Sequence, residues 1–265
     1  MDQRSKQLRR IIVRGLEGGG RGHIGSSMSL VEIMRVLFDS YLRFNPIDAS
    51  WVDRDRLILS KGHGCLALYA ILADKGFFET AELDGFCKSD SRLGGHPELG
   101  KLPGVEASTG ALGHGLPIAV GIALAAKIKK QGHRIVVIMG DGEINEGSVW
   151  EAAMSASKHQ LTNLIAIIDY NKLQSYGATK EVLDLEPLAD KWKAFGFEVV
   201  EVDGHDMKAL ENLVGQFPLS SKKPTAVICH TIKGKGIAFA EGKAEWHHKS
   251  GLKPNDILAM YECLL

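Results

Sequence analysis

Four short apolar runs constrain this chain more than any other feature: Ile135–Met139, Leu164–Ile168, Phe197–Val202 and Thr225–His230. Each is rich in Val and Ile, and none shows the strict polar alternation of a strand with one wet face. Continuous apolar character is what a strand covered on both faces requires, so the four runs predict a parallel sheet. Helices are expected between them, near residues 146–159, 186–195 and 206–216. Repeated strand–helix–strand units joined by right-handed crossovers give an α/β fold, with a largely parallel sheet and helices on both faces.

Upstream, Leu8, Ile11, Ile12 and Leu16 have helical spacing, and a Gly-rich loop is expected from Gly18 to Gly25. Leu30, Ile33, Met34, Leu37, Phe38 and Tyr41 predict one amphipathic helix, with Ser29 and Glu32 as its capping box. Residues Asp84 to Val105 read as a long irregular connection. A helix over Leu116–Lys130 is apolar on nearly every face, which predicts burial. Lys127, Lys129 and Lys130 in its last turn suit the negative end of the helix dipole, and Gly132 is expected to close it. With no internal repeat and no Pro/Ser linker, residues 1–265 are expected to form one domain.

Lys plus Arg and Asp plus Glu both number 32, so the formal net charge is zero. That balance gives no reason to expect nucleic acid or an anionic membrane as a partner. No apolar stretch approaches the roughly 20 residues of a membrane span, and no signal peptide is evident. Cys65, Cys87, Cys229 and Cys263 form neither a CxxC pair nor a zinc-like spacing, and read as isolated buried thiols. A cytoplasmic location is expected.

Ligands of a parallel sheet gather at the carboxyl ends of its strands. There Asp141 stands between Gly140 and Gly142, which let the backbone turn sharply and approach a ligand. A helix starting near Glu146 would aim free N–H groups at an anion. Thirty residues after Asp141, the next strand ends in Asp169-Tyr170-Asn171. Neighbouring strands would bring Asp141 and Asn171 together, with a backbone carbonyl, as an oxygen-only site suited to magnesium. The alternative is that Gly-Asp-Gly is a turn and Asn171 a cap. Several histidines also follow glycine: His23 in Gly-His-Ile-Gly, His63 in Ser-Lys-Gly-His-Gly and His96 in Gly-Gly-His-Pro-Glu. His247 and His248 form a late pair. Histidine donates, accepts or carries a proton near neutral pH, which suits hydroxyl and carbonyl chemistry, although any single one can be structural.

Taken together, Gly140-Asp141-Gly142-Glu143-Ile144-Asn145-Glu146-Gly147 and Asp169-Tyr170-Asn171-Lys172 resemble the thiamine-diphosphate motif of the transketolase family. The four histidine contexts occur in the family's order. Pro103-Gly104-Val105-Glu106, Thr109-Gly110-Ala111-Leu112-Gly113 and Thr231-Ile232-Lys233-Gly234-Lys235-Gly236 resemble further family segments, so the likeness covers nearly the whole chain. The resemblance implies a thiamine-diphosphate-binding fold and both thiamine diphosphate and Mg2+ as cofactors. Asp141, Asn171 and the Leu173 carbonyl would hold the metal. Gly110 and Leu112 would meet the aminopyrimidine, and Gly140, Gly142 and Glu146 would border the cofactor. His63 and His247 would lie near the diphosphate or the reacting carbon, with His248 the alternative to His247. His96 would bond a donor hydroxyl and His23 would assist proton transfer. Glu146 and Glu151 resemble carboxylates that link two cofactor sites across a subunit interface, or else are an acidic first helical turn.

Single-chain members of the family continue into a pyrimidine-binding domain and a C-terminal domain. The likeness therefore implies the N-terminal subunit of a split transketolase, active with a second polypeptide, two copies of each, on sugars or sugar phosphates. Ser175 and Tyr176 stand where the family has an apolar residue and Asp, Ala111 replaces a frequent proline, and His114 replaces Gln. Rival readings are the α chain of a 2-oxo acid dehydrogenase, an acyloin-forming or deoxyxylulose-phosphate synthase, and a non-catalytic paralogue. A nicotinamide-dependent oxidoreductase is the remaining one, because Gly20, Gly22 and Gly25 fit GxGxxG; that motif requires a preceding strand, whereas the residues before it have helical spacing.

Overall fold

The structure, a computed structural model, describes residues 1–265. The apolar runs form strands: β3 is Ile135–Gly140, β4 Leu164–Tyr170, β5 Glu198–Asp203 and β6 Thr225–His230. They are preceded by β2 (Arg56–Leu59), and the five strands pair in the order β2-β3-β4-β6-β5, every pair parallel. The short strands β1 (Arg21–Gly22) and β7 (Lys249–Ser250) form a separate antiparallel pair.

Side-chain alternation divides the core between the two faces of the large sheet. Val136, Ile138, Ile165, Ile167 and Val227 pack with the N-terminal helices. Ile135, Val137, Met139, Ala166 and Ile168 pack with the helices Gly115–Ile128 and Gly147–Lys158. Every residue of β3 and β4 is buried, as unbroken apolar runs require. The edge strand β5 differs: its Glu201 and Asp203 are exposed, so the polar positions in that run mark a solvated edge. No helix is long and apolar enough to cross a membrane.

Several expectations need correction. The helix Gln3–Gly19 runs into the expected Gly-rich loop and stops at Gly20, whose φ of 62° is the left-handed turn glycine tolerates. The 30–41 segment is a helix over Val31–Val36 that widens to a π-turn over Leu37–Tyr41, buried on almost every side. Its capping box does not form. Ser29 Oγ donates instead to Asp169 Oδ2 at 2.7 Å, and the Glu32 carboxylate is taken by Arg9. Both side chains find buried partners stronger than a helix terminus. The helix Gly115–Ile128 leaves Ile118, Gly121, Ala125 and Ile128 exposed, so apolar character does not bury it fully. Lys130, at φ 55°, makes the closing turn in place of Gly132, and Lys127 Nζ donates to the carbonyls of His159 and Gln160. Among the cysteines, Cys65 and Cys229 are buried but Cys87 is exposed.

Glu32 anchors the N-terminal layer. Arg9 Nη1 and Nη2 donate to its two oxygens at 2.6 and 2.8 Å, and His205 Nδ1 lies 2.9 Å from Oε2. Burial alone would raise this carboxyl's pKa, but the bonds from Arg9 and His205 outweigh it and hold the value at about 2, below the ordinary 4.5. The folded state therefore gains stability above pH 4.5 that is lost as pH falls toward 2, about 3 kcal/mol for this shift. Glu32→Gln should flatten the pH dependence of unfolding free energy in that window, as measured by urea denaturation at stepped pH.

Candidate active site

The carboxyl ends of β3 and β4 meet in register, with Gly140 opposite Asp169. From these ends the chain turns into a cavity of ≈ 210 Å3 bordered by Asp141, Asn171, Leu173, His23, His63 and His247. Gly110, Leu112, Gly140 and Gly142 also border it, so most of the expected site residues are brought together. The walls come from chain segments spread between residues 23 and 247, gathered by the sheet.

Asp141 is 3 % exposed, its Oδ1 accepting from Gly142 N at 2.7 Å and its Oδ2 from Lys172 N. Lys172 adopts φ 64°, an uncommon conformation for a non-glycine residue, of the kind that concentrates at functional turns. On either side of it, Asn171 Oδ1 accepts from Leu173 N at 3.2 Å, and the Leu173 carbonyl accepts from Lys233 Nζ at 2.6 Å. Burial, then repulsion from Asp169, pushes the Asp141 carboxyl up to about 6. Asp169 itself is fully buried; burial opposes its ionisation, but Lys61 Nζ at 2.5 Å holds its pKa below the usual carboxylate value. Burial and the neighbouring Lys61 lower Lys233 to about 8.

The histidines form a cluster. The His23 ring lies 5.3 Å from that of His63, 5.4 Å from His247, 4.5 Å from His248 and 6.1 Å from His96. Burial, followed by repulsion from neighbouring rings, takes His23 down to about 3; burial, followed by Lys233 and Lys61, does the same to His247. These imidazoles are therefore neutral at physiological pH, available as donors and acceptors rather than cations. His247 borders the cavity and His248 does not, although both approach His23. His96 stands outside the lining, over Gly110, where a Cβ would meet its ring at 2.9 Å.

Glu146 and Glu151 are exposed and lie outside the cavity. The helix expected near Glu146 begins at Gly147, with Glu146 at its cap, after a tight turn over Gly142–Asn145, and the cavity is reached by Gly142 and Glu143 of that turn. Ser175 borders the cavity, whereas Tyr176 is 91 % exposed. Sequence reasoning assigned no role to Ser26, Lys61, Glu143 or Lys233, all of which border the cavity. The available signal was a charged residue inside a glycine-rich motif, as in Ser60-Lys61-Gly62 and Ile232-Lys233-Gly234.

Residues 2–264 match the family model described as transketolase, thiamine diphosphate binding domain. The chain belongs to the transketolase family. It is 46% identical over 250 residues to an apulose-4-phosphate transketolase subunit from Actinobacillus succinogenes, covering 94% of this chain and 90% of that protein. It is 41% identical to the 6-deoxy-6-sulfo-D-fructose transketolase subunit of a Clostridium species, over 94% of this chain and 90% of the relative. The crystal structure of transketolase from Campylobacter jejuni superposes with a TM-score of 0.91 at 32% identity, covering 99% of this chain but 42% of that one. The chain thus spans under half the length of this solved transketolase and nearly all of the curated subunits. Such relatives make it an enzyme subunit of the transketolase type. The GxGxxG reading fails, because Gly20 ends the helix Gln3–Gly19 where a nicotinamide-binding turn would follow a strand.

Proposed function

We propose that the chain is the diphosphate-binding half of a two-subunit, magnesium- and thiamine-diphosphate-dependent transketolase. It would act as one domain, moving a two-carbon ketol unit from a ketose phosphate to an aldose phosphate. The second subunit would carry the pyrimidine and C-terminal domains, with two copies of each chain in the assembly. One observation carries the reading: a single cavity unites the oxygen donors Asp141, Asn171 and Leu173 with His23, His63 and His247.

The donor set fits a hard cation. Asp141, Asn171 and Leu173 border the same space and would offer a carboxylate, an amide oxygen and a peptide carbonyl, the last now accepting from Lys233; no three His, Cys, Asp or Glu side chains form a cage of their own. That incomplete set suits Mg2+, which keeps water and phosphate oxygens among its ligands. A buried carboxyl whose pKa is raised to about 6 is also a group that a nearby cation would return to its ionised form. Lys61 and Lys233 bring positive charge to the same cavity, as an anionic diphosphate requires.

When bound, thiamine diphosphate supplies the carbon nucleophile and the electron sink for ketose cleavage. This chain's residues orient the reactants. Neutral His23 would accept a sugar hydroxyl proton at a ring nitrogen, and His63, His96 and His247 would bond neighbouring hydroxyls. Gly110 and Leu112 line the same cavity and would meet the aminopyrimidine. The names of the two curated relatives describe ketoses bearing a phosphate or a sulfonate, consistent with an anionic donor. The proposal includes a cytoplasmic location, where four unpaired thiols persist.

Mixing the purified chain with its second subunit, Mg2+ and thiamine diphosphate should give ketol transfer from a ketose phosphate, with none from this chain alone. Robust transfer by the isolated chain would overturn the two-subunit reading. In the assembled enzyme, His23→Ala should lower kcat by about 10²–10⁴-fold, the usual scale for a lost acid–base group. Cofactor affinity should stay near the parent value; an equal loss in both would make His23 a cofactor ligand instead.

A further inference from the structure

Glu143 differs from the exposed Glu146 three residues later, being only 2 % exposed. Its carboxylate is met by donors alone. Oε1 accepts from Gly113 N at 2.8 Å and from the Ser60 hydroxyl, and Oε2 accepts from Gly140 N at 3.1 Å. The Ser60 oxygen in turn accepts from Gly115 N at 3.0 Å. Three separate segments therefore meet on one side chain, and each runs directly into the cavity wall. Ser60 leads to Lys61 and His63, Gly113 follows Gly110 and Leu112, and Gly140 leads to Asp141 and Gly142. The junction has no slack: a Cβ on Gly115 would lie 2.2 Å from Ser60 Oγ, and one on Gly113 2.5 Å from the Glu146 side chain.

We propose that Glu143 is a positioning residue that fixes the separation between the Gly110–Leu112 wall and the Gly140–Gly142 wall, so that one ligand is gripped at both ends. The inference rests on the thiamine-diphosphate reading above. A carboxyl group suits the place because its two oxygens accept several hydrogen bonds at once. A glutamine of the same size would turn its NH2 group toward the N–H of either Gly113 or Gly140, leaving a donor facing a donor in both orientations. Glu143 would act on the ligand through the loops, since its oxygens are already engaged by Ser60, Gly113 and Gly140.

The test compares a ligand that spans both walls with one that reaches only the Asp141 wall. The probes are Mg2+ with thiamine diphosphate and Mg2+ with inorganic pyrophosphate, titrated calorimetrically into the full chain assembled with its second subunit. Glu143→Gln should weaken thiamine diphosphate by about ten-fold or more and pyrophosphate by less than about three-fold, a difference set by one or two lost hydrogen bonds. Ser60→Ala removes a single link and should shift the same ratio by about three-fold. Equal losses for the two probes, or an unchanged thiamine-diphosphate affinity, overturn the proposal in either folded variant. Should Glu143→Gln fail to fold in a thermal melt, Ser60→Ala decides alone. A parent protein that binds neither probe overturns the cofactor reading itself, and this inference with it.

Discussion

Asp141→Ala should abolish magnesium-dependent thiamine-diphosphate binding while leaving the chain folded. The first half follows from the proposed donor set, in which Asp141 supplies the only carboxylate beside the amide of Asn171 and the carbonyl of Leu173. Removing it leaves two neutral oxygens, too little charge to draw a strongly hydrated dication from water. The second half follows from electrostatics. Without a cation the Asp141 carboxylate is buried and repelled by Asp169, which is why its pKa rises to about 6. Its removal relieves that repulsion, against the loss of its bonds to Gly142 N and Lys172 N. These effects oppose each other, so the unfolding midpoint should move by only a few degrees, corresponding to about 1 kcal/mol. Titration calorimetry with the second subunit present checks the first half and a thermal melt the second. Unchanged thiamine-diphosphate affinity would count decisively against Asp141 as a metal ligand.

Lys61→Met should destabilise the chain by about 3–5 kcal/mol, the range found when one partner of a buried ion pair is removed. Asp169 lies fully buried, with Lys61 Nζ at 2.5 Å as its counterion. Ser29, Thr231 and the Asn171 Nδ2 group also donate to it, but none of them carries charge. Without Lys61, Asp169 must either remain charged in the core or take up a proton, and both cost stability. Adding Asp169→Asn to Lys61→Met should recover most of the loss, because the buried charge then disappears. Guanidinium unfolding of the two variants tests this. A loss below about 1 kcal/mol for the single variant would mean that the neutral donors suffice, since a neutral hydrogen bond contributes on that scale.

What was legible in the sequence follows from what leaves a one-dimensional trace. β3, β4 and β6 were readable because burial on both faces demands unbroken apolar runs. β2 leaves too faint a trace, because its four residues begin with Arg56 and offer only Leu57, Ile58 and Leu59 as signal. β5 was placed correctly, but its alternating acids mark an edge instead of an interior position. Asp141 and Asn171 could be paired from sequence because both follow strand ends, and strand ends of a parallel sheet share one rim. Lys61, Asp169 and Glu143 could not be paired in that way. Asp169 lies 108 residues from Lys61, and Glu143 lies 83 from Ser60, so no local spacing announces either contact. The capping box of Ser29 and Glu32 failed for the same reason: correct local chemistry yielded to distant buried partners. The histidines became a cluster only in three dimensions, where crowding and burial keep them neutral.

The pairing of β1 with β7 sets a timetable for the protein's birth. Arg21 lies opposite Ser250, and Leu252 N donates to the Gly20 carbonyl at 2.9 Å, so the segment holding His23 is completed by one holding His247 and His248. A nascent chain makes the second segment long after the first, with the whole large sheet synthesised in between. The sheet and Asp141 therefore emerge from the ribosome earlier, whereas the histidine cluster closes only once Lys249 and Ser250 have followed them. A polypeptide released before residue 247 would therefore hold Asp141, Asn171, His23 and His63 but would lack both His247 and the strand β7 that pairs with β1.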